Sequence, residues 1–207
     1  MYNLVEQIVF GVVLQYYKRV GENMILKKDI ILDDNPQLRK KSEDVTLPLS
    51  KEDTKLLDEM LEYLENSQDE EKAKELDLQP GVGLAAPQLG ILKKMFAVLT
   101  TDEKGNLHKY ALVNPKLISN SVGTSYLAGG EGCLSVKENH QGYVKRYQKI
   151  KMKAYDYVSK QDVLLNLKGY VAIVVQHEYD HLFGVLYYDH IDKKDPMKVP
   201  DGAVEII

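Results

Sequence analysis

Cysteine is almost absent: Cys133 stands alone among 207 residues, so no intramolecular disulfide can form and a disulfide-stapled secreted fold is excluded. Long apolar runs are missing too. The stretch Ile8 to Leu14 is broken by Gly11 and is far too short to span a bilayer. It follows Glu6 rather than basic residues, and no small-residue cleavage site comes after it, which argues against a signal peptide. Excess positive charge is lacking as well. With 27 Lys and Arg against 31 Asp and Glu, the net charge of −4 gives no general attraction for nucleic acid, whose binding draws on a concentrated basic face. Repeats and low-complexity tracts are absent. A cytoplasmic globular protein is the simplest expectation, and 44% hydrophobic residues are enough to build a real core.

Residues 1–23 differ in character from the rest. Leu4, Ile8 and Val12 would share one face of an amphipathic helix, whereas Met24 opens a new segment and could equally be the native start. Both readings stay open. Leu49-Ser50 followed by Glu52-Asp53 has the character of a helix entry, and Leu56, Leu57, Met60, Leu61 and Leu64 recur at helical spacing, predicting a helix over about 51–66. The charged stretch 67–78 is expected to be a solvated insertion with a short helix. Met95–Leu99 and Tyr110–Val113 predict strands joined by a turn at 102–106, and the alternation of 149–154 predicts a strand that pairs with 163–167. A helix from about Tyr170 to Phe183, closed by Gly184, follows. This order predicts an α+β fold, with mixed or antiparallel sheets around a central helix.

That helix carries Gln176-His177-Glu178-Tyr179-Asp180-His181, an H-E-x-x-H segment. Residues four apart share a helix face, so His177 and His181 can converge on one metal ion, while Glu178, offset by one residue, reaches toward a water instead. Two histidines leave a catalytic site short of its usual three protein ligands. His190 lies past the helix end; Cys133 within Gly129-Gly130-Glu131-Gly132-Cys133-Leu134-Ser135 is the better third candidate, because small neighbours let backbone and metal approach. A third segment, Gly81-Val82-Gly83-Leu84-Ala85-Ala86-Pro87-Gln88, lacks the order of a phosphate-binding loop, but Gln88 offers an uncharged donor to a developing oxyanion.

Together and in this order, the three segments resemble the peptide deformylase family, which shows G-x-G-x-A-A-x-Q, E-G-C-x-S and Q-H-E-x-D-H. The resemblance runs from about Asp29 to Ile191. The insertion near 65–80 and a tail without an evident long helix resemble the subgroup typical of Gram-positive bacteria. It implies a single catalytic domain over 24–207, in which Cys133, His177 and His181 hold ferrous iron, replaceable by zinc, nickel or cobalt. Gln88 and the backbone N–H of Leu134 are then the oxyanion donors and Glu178 the proton carrier, in removal of the formyl group from N-formylmethionyl peptides. Val82, Gly83 and Gly132 are expected to meet the substrate backbone, and Tyr170, Ile173 and Val174 its methionine side chain. The expected partners are nascent peptides and, transiently, the ribosome, with no membrane and no direct nucleic-acid site. Two other functions fit the motif: a zinc peptidase cutting internal bonds, which casein hydrolysis would reveal, and a non-catalytic metal-binding module, inactive on both substrates.

Overall fold

The computed structural model describes residues 24–207, so both readings of residues 1–23 lie outside the described residues. The first helix, α1, spans Lys51–Gln68. The Ser50 side chain accepts the Asp53 N–H, and Glu52 and Asp53 place negative charge at the positive end of the helix dipole. Leu56, Leu57, Met60 and Leu64 are buried along one stripe, as their spacing predicts, and the helix runs two residues past the predicted end. The expected short helix of the insertion is α2, Glu70–Glu75, capped by Asp69, which accepts from the Glu71 and Lys72 N–H groups.

Five strands form an antiparallel sheet in the order β1-β2-β3-β6-β7: β1 Gly83–Ala85, β2 Met95–Thr101, β3 Leu107–Asn120, β6 Lys149–Asp156 and β7 Gln161–Lys168. The remaining strands, β4 Thr124–Leu127, β5 Arg146–Tyr147 and β8 Val204–Ile206, form a small mixed sheet in which β4 runs parallel to β8. β3 extends well beyond the expected 110–113. Pro115 cannot donate to the ladder, and the register shifts between Val113 and Lys116, which lets the strand continue past it.

The third helix, α3, spans Gly169–His181 and is apolar nearly all round, the signature of a helix buried on every side. It packs with Ile150, Met152, Ala154 and Leu167 on one face of the large sheet, while α1 covers the other face over Leu84, Met95, Ala97 and Val113. Each buried aliphatic side chain of α3, such as Val171 or Val175, contributes about 1.5–3 kcal/mol. Gly184 ends the run at φ +73°, where a Cβ would lie 2.4 Å from the Arg39 carbonyl oxygen. The chain can therefore turn back here only with glycine.

Candidate active site

One helical turn separates His177 from His181, and their rings meet with centroids 5.0 Å apart. The loop after β4 brings Cys133 to them: its Sγ lies 3.4 Å from His181 Nε2, and the donor atoms of all three residues lie within 4.8 Å of one another. Among the described residues no other group of Cys, His, Asp and Glu has this geometry. His190 is not part of it; its Nε2 is 2.8 Å from Asp180.

Whether this set fits a metal is decided by its protonation. His177 Nδ1 donates to Glu131 Oε2 at 2.8 Å, which leaves Nε2 for the cluster. Burial alone would lower the His177 pKa, but Cys133 and Glu131 outweigh it and raise it well above the usual value. The frame thus asks for a positive charge between the sulfur and this ring. His181 goes the other way: burial first, then His177 and Arg146, lower its pKa, keeping it neutral as a ligand must be. One thiol and two imidazoles suit iron, zinc, nickel or cobalt.

Glu131 is itself held from behind. Arg146 donates to both of its oxygens at 2.8 Å and also to Asp180, the acidic residue inside the histidine motif. Burial would raise the Glu131 pKa, but Arg146 foremost, then His177, bring it down to about 2. Tyr187, buried, stacks on the His177 ring at 6.1 Å and 20° and belongs to the cluster that backs Cys133. Glu131 stood in the quoted motif; Arg146 and Tyr187 carry no local signal, because the fold brings them in from distant segments.

Glu178 lies next to the ligands, 4% exposed and with Oε2 unpartnered among the described residues. Burial pushes its carboxyl up to about 7. Gly83 explains how it fits: a Cβ there would lie 2.2 Å from Glu178 Oε1. Gln88 accepts the Ala85 N–H through Oε1, which turns its Nε2 toward Cys133 Sγ at 3.6 Å and Ser135 Oγ at 3.2 Å.

These groups open onto a cavity of about 310 Å³ lined by Val82, Gly83, Gln88, Gly132, Cys133, Leu134, Tyr170, Ile173, Val174, His177 and Glu178. It takes in every candidate site residue except His181, which sits behind the ring of His177 and is 1% exposed. Gln68, Gln79, Pro80 and Leu127 also line it and were not anticipated. At the rim, β1 is an edge strand. The Val82 carbonyl is taken by the Leu99 N–H, so the alternation of the ladder turns the backbone groups of Gly83 toward the open edge.

Comparison with known proteins matches this picture. The sequence profile of polypeptide deformylase matches residues 27–197. Peptide deformylase 2 of Bacillus cereus is 53% identical over 180 residues, covering 87% of this chain and 97% of its own. The peptide deformylase of Macrococcus caseolyticus is 53% identical over 184 residues, 88% of this chain and all of its own. The crystal structure of peptide deformylase from Thermotoga maritima, 33% identical, superposes with a TM-score of 0.63 over 83% of this chain and 99% of that one. With a family profile spanning most of the chain and relatives identical at half their positions, the chain belongs to the peptide deformylases of the Gram-positive type, metal-dependent hydrolases that remove the N-formyl group from newly made peptides.

Proposed function

We propose that Cys133, His177 and His181 hold a single ferrous ion in the cell, with zinc, nickel or cobalt able to replace it, and that the protein works in the cytoplasm, where formylated peptides are made. The observation that carries this reading is the convergence of one sulfur and two ring nitrogens beside the buried carboxylate of Glu178, at the floor of a cavity. When bound, such an ion supplies Lewis acidity, making hydroxide accessible near neutral pH and polarising a carbonyl.

The protein's own groups do the rest. Glu178 accepts the proton of the attacking water and delivers it to the departing amine, so the C–N bond breaks to give formate and a free amino terminus. Its raised pKa suits a group that must both take and return a proton. Gln88 Nε2 and the Leu134 N–H donate to the oxygen that gains negative charge. Ile173, Val174 and Tyr170 form the apolar slot for the methionine side chain. The outward backbone of Gly83, with Val82 and Gly132 beside it, pairs with the substrate as an added strand.

The decisive experiment measures formate release from formyl-Met-Ala-Ser under anaerobic conditions, with metal content determined on the same sample and casein as control. Formate release with about one ion per chain is expected; casein cleavage, or two ions per chain, would overturn the assignment. Residues 24–207 are proposed to be the catalytic unit. Supporting this, the polypeptide deformylase profile matches residues 27–197. Removing residues 1–23 should leave kcat/KM unchanged, and a large fall would tie that segment to the domain.

A further inference from the structure

The outer face of the β6–β7 hairpin holds an arrangement that deformylation does not use. Lys149, Lys151 and Lys153 alternate along β6 with buried Ile150, Met152 and Ala154. The register adds two more cations to the same face: Lys168 stands directly opposite Lys149, and Lys116 directly opposite Lys153. Like charges in directly opposed positions destabilise a sheet. Some lysines of the neighbouring segments are paired, Lys94 with Asp44 and Lys109 with Glu65. Among the described residues these five side chains have no ion-pair partner. Of the acids close by, Asp162 stands diagonal to Lys153, Glu103 accepts the Tyr170 N–H, and Asp44 is paired with Lys94. A chain with net charge −4 thus concentrates unpaired positive charge on one stripe, on the side of the sheet that the acid-rich α1 partly covers.

We propose that this stripe is a docking face for the phosphate backbone of double-stranded RNA. Lysines two apart on a strand are spaced by ~6.8 Å, and adjacent strands by ~4.8 Å, so the face presents close parallel rows of cations to a polyanion. A membrane surface fits less well, since interfacial anchors bury a cluster of aromatic and aliphatic groups. Here the exposed apolar side chains among the lysines are two, Leu164 opposite Lys153 and Ile118 in the bulge beside Lys151, and neither is aromatic. The acidic residues of α1 would repel RNA from the part of that side it covers, which limits how the duplex lies. The opposite face of the sheet packs on α3, so bound RNA leaves the substrate cavity open. Newly made peptides emerge from an RNA-rich machine, and that single point rests on the deformylase reading; binding is therefore measured without substrate.

The test uses the full-length, metal-loaded protein and a fluorescently labelled 20-base-pair RNA duplex. A Kd in the micromolar range is expected at 75 mM KCl, weakening roughly tenfold on doubling the salt, as about four phosphate contacts require. The variant K149Q/K151Q/K153Q should bind more than about tenfold more weakly, with a salt slope shallower by two to three. Its kcat/KM on formyl-Met-Ala-Ser should be unchanged, and its thermal midpoint should rise because opposed charges are removed. K72Q/K74Q on α2 should bind as the parent does. Absence of duplex binding at 75 mM KCl, or equal binding by the triple variant, would overturn the proposal. So would tighter binding to phosphatidylserine vesicles than to RNA, which would reassign the face to a membrane.

Discussion

Replacing Gly83 by alanine tests the core of the site without touching a ligand or the proton carrier. The added methyl carbon would lie 2.2 Å from Glu178 Oε1, 2.6 Å from Cδ and 2.7 Å from Cγ. Favourable contact between such atoms begins near ~3.5 Å, so something must yield by about 1 Å. β1 is held in the sheet by pairing with β2, whereas the carboxylate borders the open cavity. Glu178 therefore moves into the space the formyl group needs. A displacement of that size costs about 10²-fold in rate, or about 2.7 kcal/mol of transition-state stabilisation, and KM should rise as well. Metal content should stay near one per chain, because the ligands are untouched. Gly129→Ala is the control, since a Cβ there meets nothing within 4 Å. Formate release, metal analysis and urea unfolding on both variants decide the matter. Activity of Gly83→Ala within about threefold of the parent would show that Glu178 is not confined as described.

Glu178→Ala should keep its metal while turnover falls by at least ~10²-fold; loss of metal would move Glu178 into the ligand set. Glu131→Gln should weaken metal affinity by about 10–100-fold, measured by competition with a chelator, because the His177 ring loses its charged acceptor and Arg146 its partner. Glu59 gives a pH-dependent stability test away from the site. It is buried on α1, its Oε2 has no partner among the described residues, Lys55 stands 3.7 Å away, and burial pushes its carboxyl up to about 7. A raised folded-state pKa means the penalty is absent below about 4.5 and grows as pH rises through about 7. Glu59→Gln should therefore gain about 1 kcal/mol in urea unfolding at pH 8, after discounting for solvent and Lys55, and nothing at pH 4. An equal gain at both would trace the effect to packing.

How much of this could be read from the chain follows the range of each interaction. The two histidines and Glu178 are fixed by helical spacing, and the β6–β7 hairpin by its alternation, so both were legible. The Cys133 loop reaches them through tertiary packing, and motif order rather than periodicity pointed to it. β3 continues past the expected Val113 because Asn114, at φ +49°, bonds to Val45 through its side chain and carries the strand across a bulge, which no strand alternation announces. β4, β5 and β8 are too short to carry a pattern. Gln68 and Leu127 join the cavity from segments far from His177 in sequence, which no local rule reaches. The lysine stripe was hidden for the same reason: its opposed pairs exist only once β3, β6 and β7 are in register.

The burial of α3 against the large sheet also governs how the molecule comes apart. Reactive groups usually sit on loops, which open locally at little cost. Here two of the three candidate ligands belong to the most enclosed helix, whose amides should exchange with solvent only through global unfolding. Cys133, half-buried on a loop, has no such protection. Under mild denaturant the sulfur should come free first, with the histidine pair still in place.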